Sequence, residues 1–224
     1  ATPFHTLYVC DELCSDQDRF TGLMADLEAQ EPGVSIFHVT PEVMRKMSYR
    51  DVPEGILGVI SFAAASLEDL DELSDGFVLV CEGIEKPGNI GAILRVADGA
   101  GASAVILCDC CTDLGNPNVI RASTGTVFSV PVIVADAQAT LAWCRTNGFM
   151  TVAAVPDAAH DYTRCDFTGA TAFVLGEEHR GLTPGWLENA DLTTRIPMLG
   201  IADSLNVSVS AALFAYEARR QRAG

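Results

Sequence analysis

The stretch Phe77-Val78-Leu79-Val80-Cys81-Glu82, followed by Gly83-Ile84-Glu85-Lys86-Pro87-Gly88-Asn89-Ile90-Gly91-Ala92-Ile93-Leu94-Arg95, decides how this chain folds. An unbroken apolar run rich in Val and bounded by glycine is how a strand buried on both faces reads, and such strands belong to parallel sheets. Four similar runs follow: SAVILC (103–108), FSVPVIV (128–134), TVAAV (151–155) and TAFVLG (171–176). Amphipathic patterns at about 89–100 and 136–147 separate them. A last helix is expected from about 204 to 222, with Ser204 or Asp203 as its cap. Alternating strand and helix in this order predicts an α/β fold with a parallel sheet and helices on both faces.

Upstream, Leu7–Cys10, Val34–Val39 and Ile56–Phe62 read as short strands, with helical patterns at about 16–30 and 41–47. They predict a small α/β domain over 1–66, a linker over 67–76 and a larger domain over 77–224. The first strand has no initiator Met before it, so an N-terminal piece is expected to be missing. Charge follows the same division. The chain carries net charge −16; residues 1–75 hold 15 acids and 4 bases, and the remainder 15 acids and 10 bases. An acidic body repels nucleic acid at long range, so composition alone argues against an RNA partner. With 49% apolar residues the chain is globular, and no window of 18 unbroken apolar residues suggests a membrane span. The eight cysteines lack paired zinc-ligand spacing. Cys108-Asp109-Cys110-Cys111 is a weak metal candidate beside the plainer reading of reduced, packed thiols in a cytoplasmic protein.

In an open parallel sheet, ligands bind beyond the carboxyl ends of the strands. Three segments there carry unusual chemistry. In the first, Asn89 is placed to cap the helix that bears Arg95; alone, this is also how an ordinary capped helix start reads. The second, Gly176-Glu177-Glu178-His179-Arg180-Gly181-Leu182, crowds two carboxylates, a His and an Arg between glycines, which a polar turn also explains. The third, Ile196-Pro197-Met198 through Ser204-Leu205-Asn206-Val207-Ser208, alternates polar and apolar residues into the last helix. No GxSxG, GxGxxG or phosphate-loop signature is present.

Together and in this order, the three segments resemble the motifs of the SpoU (TrmH-like) family of RNA ribose 2′-O-methyltransferases, in the SPOUT class. Arg121-Ala122-Ser123-Thr124-Gly125 also matches a segment that the family carries between the first two motifs. Residues 1–62 are more loosely similar to the ribosomal-protein-like RNA-binding domain found in front of many members. The resemblance implies a C-terminal deep trefoil knot, S-adenosylmethionine as cofactor and a homodimer. It implies backbone contacts to the cofactor near Leu175, Gly176, Ile196, Met198 and Leu205. Arg95, Glu178, Asn206 and Ser208 match the catalytic positions, and Asn89, Arg95, Arg121 and Arg180 fall where RNA would lie. Glu177 and Ser210 depart from the family pattern, the first by adding negative charge beside the site.

A guanidinium is always protonated, so Arg95 is expected to grip a phosphate and stabilise the developing oxyanion rather than act as a base. Glu178 is expected to orient Arg95 or cap its helix, with Asn206 and Ser208 positioning substrate or Arg95. The RNA is expected to be ribosomal in preference to transfer RNA. The competing readings are a transfer-RNA 2′-O-methyltransferase, a knotted module that binds RNA or cofactor without catalysis, and a small-metabolite domain. Arg95, Arg121, Arg180, Arg219, Arg220 and Arg222 are expected to make a local positive cleft on the acidic body.

Overall fold

A computed structural model describes residues 4–30, 33–62, 64–70 and 73–223. The chain divides into two compact units after residue 63. The first unit holds β1 (Phe4–Val9), α1 (Gln17–Gln30), β2 (Ser35–His38), α2 (Pro41–Met47) and β3 (Ile56–Ile60). Its sheet runs β2-β1-β3, with β2 parallel and β3 antiparallel to β1. Alternation along β1 turns Leu7 and Val9 inward, where they pack with Leu27, Phe20 and Met24 of α1. Thr40 caps α2 through its side chain, which accepts from Val43 N.

The second unit contains β4 (Phe77–Glu82), α3 (Pro87–Ala100), β5 (Ala104–Cys108), α4 (Pro117–Ser123), β6 (Val132–Ala135), α5 (Ala137–Thr146), β7 (Met150–Ala154) and β8 (His160–Asp161). After these come β9 (Thr171–Leu175), α6 (Pro184–Asn189), β10 (Leu192–Arg195) and α7 (Val207–Arg222). Seven strands form one sheet in the order β6-β5-β4-β9-β7-β10-β8, and every pairing in it is parallel. All residues of β4, β5 and β9 are buried. Val78, Val80, Ile106 and Val174 join Trp143 of α5 and Trp186 of α6 in the core on one face. On the other, the Phe173 ring meets Phe77, Phe167 and Phe214 of α7 at centroid distances of 4.9–6.0 Å.

Several boundaries differ from the sequence reading. The run at 128–134 begins in a 3₁₀ turn, Thr126–Phe128, and the strand starts only after Pro131, which has no N–H for the ladder. The segment read as a linker from 67 opens with a 3₁₀ turn, Leu67–Leu70, whose Leu70 is buried in the second unit's core. Residues 71 and 72 of that segment, like 1–3 and 63 of the first domain, lie outside the described residues. Lys86, not Asn89, is the N-cap of α3, because Pro87 fits the first helical position where no N–H is needed. Asn206, not Ser204 or Asp203, caps α7. β8, β10, α4 and α6 carry no long apolar run, and periodicity passed over all four.

Arg222 ties the end of α7 to the sheet. Its guanidinium donates to the carbonyls of Phe167, Gly76 and Gly169, pairs with Asp75 at 3.2 Å and lies 5.7 Å from the Phe77 ring centroid. It is therefore a structural clamp rather than part of a cleft for RNA. Arg219 donates to Gly99 O and Arg220 pairs with Glu217. Helices α3 and α4 cross so closely that a Cβ on Gly91 would sit 2.4 Å from Ala122 Cβ and 2.7 Å from Ser123 N. Gly91→Ala is therefore expected to lower unfolding free energy by about 1–3 kcal/mol. The check is the urea midpoint at unchanged slope, and an unmoved midpoint would show that the two helices separate at no cost.

Candidate active site

The chain runs outward from β4 through β5 and β6, then returns to build β7, β9, β10 and β8 on the other side. Strand order thus reverses at β4 and β9, and a crevice is expected outside their carboxyl ends. The loops that leave these two strands, Gly83–Lys86 and Gly176–Gly181, meet there. A cavity of about 120 Å³ lies between them, lined by Gly83, Ile84, Glu85, Lys86, Asn89, Glu177, Glu178, His179 and Val207.

Glu178 joins the three segments. Its Oε1 accepts from Asn89 Nδ2 and from Asn206 Nδ2, each at 3.0 Å, and its Oε2 accepts from Lys86 Nζ. Asn206 Nδ2 also donates to Asn89 Oδ1 at 3.1 Å. Asn206 Oδ1 in turn accepts from Ser208 N at 2.9 Å and Ser208 Oγ at 2.6 Å, so one side chain both caps α7 and reaches the other two motifs. The hydrogen bonds from Lys86 and then Asn89 hold the Glu178 carboxyl below its ordinary range, so it is an anion at neutral pH.

Glu178 was expected to orient Arg95 or cap its helix. It instead binds side chains at the start of α3 and makes no bond to Arg95 among the described residues. Arg95 is exposed a little over two turns into α3, and its side chain has no hydrogen bond or ion pair among the described residues. Arg121, in the last turn of α4, is also exposed and also without a side-chain partner there. Arg180 is 91% exposed in its side chain and lies 3.4 Å from Glu177. Lys86 was given no function on the sequence, although its place in the loop between β4 and α3 was the available signal.

The positions expected around the cofactor surround a segment rich in main-chain capacity. Leu175 is buried at the end of β9, Ile196 and Met198 are half-buried, and Leu205 is 37% exposed. Between Ile196 and Leu205 no backbone–backbone hydrogen bond is made among the described residues. Free main-chain donors and acceptors beside apolar side chains suit a neutral heterocycle such as adenine. Gly176 permits the chain to double back: a Cβ there would lie 2.3 Å from the carbonyl carbon of Gly181. The donor set of the cysteine cluster is less suited to a metal. Burial pushes the Cys108 thiol up to about 12, so it stays protonated, and Cys110 Sγ donates to Ile84 O. Among the described residues, no group of three or more His, Cys, Asp or Glu could hold a metal ion, and no helix is long and apolar enough to cross a membrane.

Comparison with known proteins places this geometry. The sequence model of the SpoU rRNA Methylase family matches residues 76–216. The 23S rRNA (guanosine-2′-O-)-methyltransferase RlmB of Ralstonia nicotianae is 34% identical over 226 aligned positions, covering 97% of this chain and 90% of that protein. A 23S rRNA (uridine(2479)-2′-O)-methyltransferase of Streptomyces viridochromogenes is 30% identical, over 82% of this chain and 67% of its own length. Among solved structures, the AdoMet-bound rRNA methyltransferase from Sinorhizobium meliloti superposes with a TM-score of 0.87 at 28% identity, covering 98% of this chain and 81% of that one. With its parallel sheet, its three motif segments meeting at one crevice and a match across most of the second unit, this chain belongs to the SpoU rRNA methylase family.

Proposed function

We propose that this protein transfers the methyl group of S-adenosylmethionine to a ribose 2′-hydroxyl of ribosomal RNA. The observation that carries the reading is the Glu178 carboxylate, which draws Asn89, Asn206 and Lys86 to one point at the strand-order reversal. The cofactor supplies an activated methyl group when bound. Leu175, Gly176, Ile196, Met198 and Leu205 would hold it through backbone contacts and apolar walls, and the C-terminal knot of the family would form the surrounding loops.

A ribose hydroxyl is a weak nucleophile, so the protein's task is to align it and stabilise the charge that grows on its oxygen. Arg95 suits that task. It is free to grip a phosphate beside the target ribose with two parallel hydrogen bonds, and its charge does not titrate. Arg121 and Arg180 extend the contact to RNA, while Asn206 and Ser208 fix the start of α7. The proton leaves to water or to that phosphate. Ribosomal RNA is favoured over transfer RNA by the substrates named for the two relatives above.

A homodimer is supported by the surface of α7. Val209 and Tyr216 are 46% and 50% exposed and stand seven residues apart, two turns along one face of the helix. An open groove of about 380 Å³ beside them is lined by Tyr162, Ala212, Leu213, Tyr216 and Glu217. Arg95, whose side chain has no partner among the described residues, is then available to a site completed across the interface.

Four outcomes are expected. Incubated with labelled S-adenosylmethionine and total RNA, the protein should place 2′-O-methyl groups in ribosomal RNA. Arg95→Ala should lower kcat by about 100-fold or more, with Arg95→Lys intermediate; full transfer by Arg95→Ala would remove it from the mechanism. The wild type should sediment at twice the chain mass, and Val209→Glu should sediment as a monomer with reduced transfer. Because the Glu178 pKa is depressed, the network's contribution is present above the ordinary carboxylate value and fades as pH falls through the lowered one. Lys86→Met should move the acid limb of the kcat profile to higher pH, and an unmoved limb would show that Glu178 protonation does not limit the reaction.

A further inference from the structure

We propose that Glu82 and Thr183 are a positioning pair for Glu178, acting through the tight turn at residues 177–181; the proposal rests on the methyl-transfer reading above. Side chains alternate along β4, so Glu82 shares a face with Val78 and Val80 and points toward the α6 side of the sheet. It is only 4% exposed. Its Oε2 accepts from Thr183 N at 2.8 Å and its Oε1 from Thr183 Oγ1 at 2.7 Å. No cation pairs with it among the described residues. A carboxylate buried with so little compensation is costly, and an apolar pair of similar volume would fill the same space more cheaply. What the carboxylate adds is a fixed location for residue 183.

Residue 183 lies two residues past the end of the Glu178 turn. The turn enters at Gly176, directly after β9, and the chain touches itself there, the position of an added Cβ lying 2.3 Å from Gly181 C. Glu177 and Gly181 pair as an isolated antiparallel bridge, with Gly181 N donating to Glu177 O at 3.1 Å. The turn is therefore a closed unit whose entrance is set by the sheet and whose exit is set two residues later. Thr183 is also the N-cap residue of α6, yet its side chain makes no cap bond because the hydroxyl is given to Glu82. The 3.0 Å bonds that Glu178 accepts from Asn89 and Asn206 lie at the far tip of this unit. Releasing its exit lets the tip withdraw from both.

The test combines hydrogen exchange with kinetics on the full chain. Thr183→Val should raise amide exchange over 178–182 by about tenfold or more, with the amides of β4 and β5 unchanged. It should lower kcat by about tenfold to a hundredfold, while KM for S-adenosylmethionine changes by less than about threefold. Thr183→Ser, which keeps the hydroxyl, should recover most of the loss. Placed on Glu178→Gln, Thr183→Val should cost nothing further, since its effect passes through Glu178. Glu82→Gln, close to isosteric, carries the same comparison if Thr183→Val does not fold. Unchanged exchange in the turn, or a kcat loss that multiplies with that of Glu178→Gln, would overturn the proposal. A wild type that methylates no ribosomal RNA would instead fail the functional reading, and the exchange comparison would still decide the clamp.

Discussion

The carboxylate of Glu178 is the point on which the site depends, because it satisfies three donors from two other segments, the farthest of them 92 residues away along the chain. A single anion can accept several hydrogen bonds at once, and bonds to a charged acceptor are stronger than neutral ones. Bringing Lys86, Asn89 and Asn206 to one carboxylate aligns the start of α3 with the start of α7. It does so where strand order reverses, so the sheet supplies the crevice and the anion sets its geometry. Everything expected of Arg95 follows from the placement of the helix that carries it.

That helix is held from two further directions. Gly91 lets α4 approach without an intervening side chain, and Ile90, Ile93 and Leu94 are fully buried. Arg95 therefore projects from a rigid support while its own side chain remains free. A rigid base with an exposed charged tip suits the phosphate contact proposed for Arg95.

Charge is organised locally rather than globally. Of the six arginines that the sequence suggested for an RNA cleft, Arg222 is consumed by backbone carbonyls and Asp75, Arg219 by a carbonyl and Arg220 by Glu217. Arg95, Arg121 and Arg180 keep their side chains exposed. The cavity itself is lined by Glu85, Glu177 and Glu178 with Lys86 and His179. RNA held by so few cations on a body of net charge −16 would be bound weakly and with strong dependence on salt.

The sequence by itself determined the parallel α/β architecture, because FVLVCE, SAVILC and TAFVLG admit few readings other than strands buried on both faces. It also marked the three segments that matter, through their joint resemblance to the family's motifs, although each alone also reads as an ordinary helix cap or polar turn. It left open which side chains meet. The resemblance paired Glu178 with Arg95 or its helix, and Lys86 was assigned to nothing, since a hydrogen bond between residues 92 apart has no local signature. Short half-buried elements such as β10 and α6 were illegible for the same reason: their stability comes from neighbours, not from their own pattern. The partners of Glu82, of Arg222 and of Glu178 were decided only when the sheet set the strands side by side and brought distant loop ends to one edge.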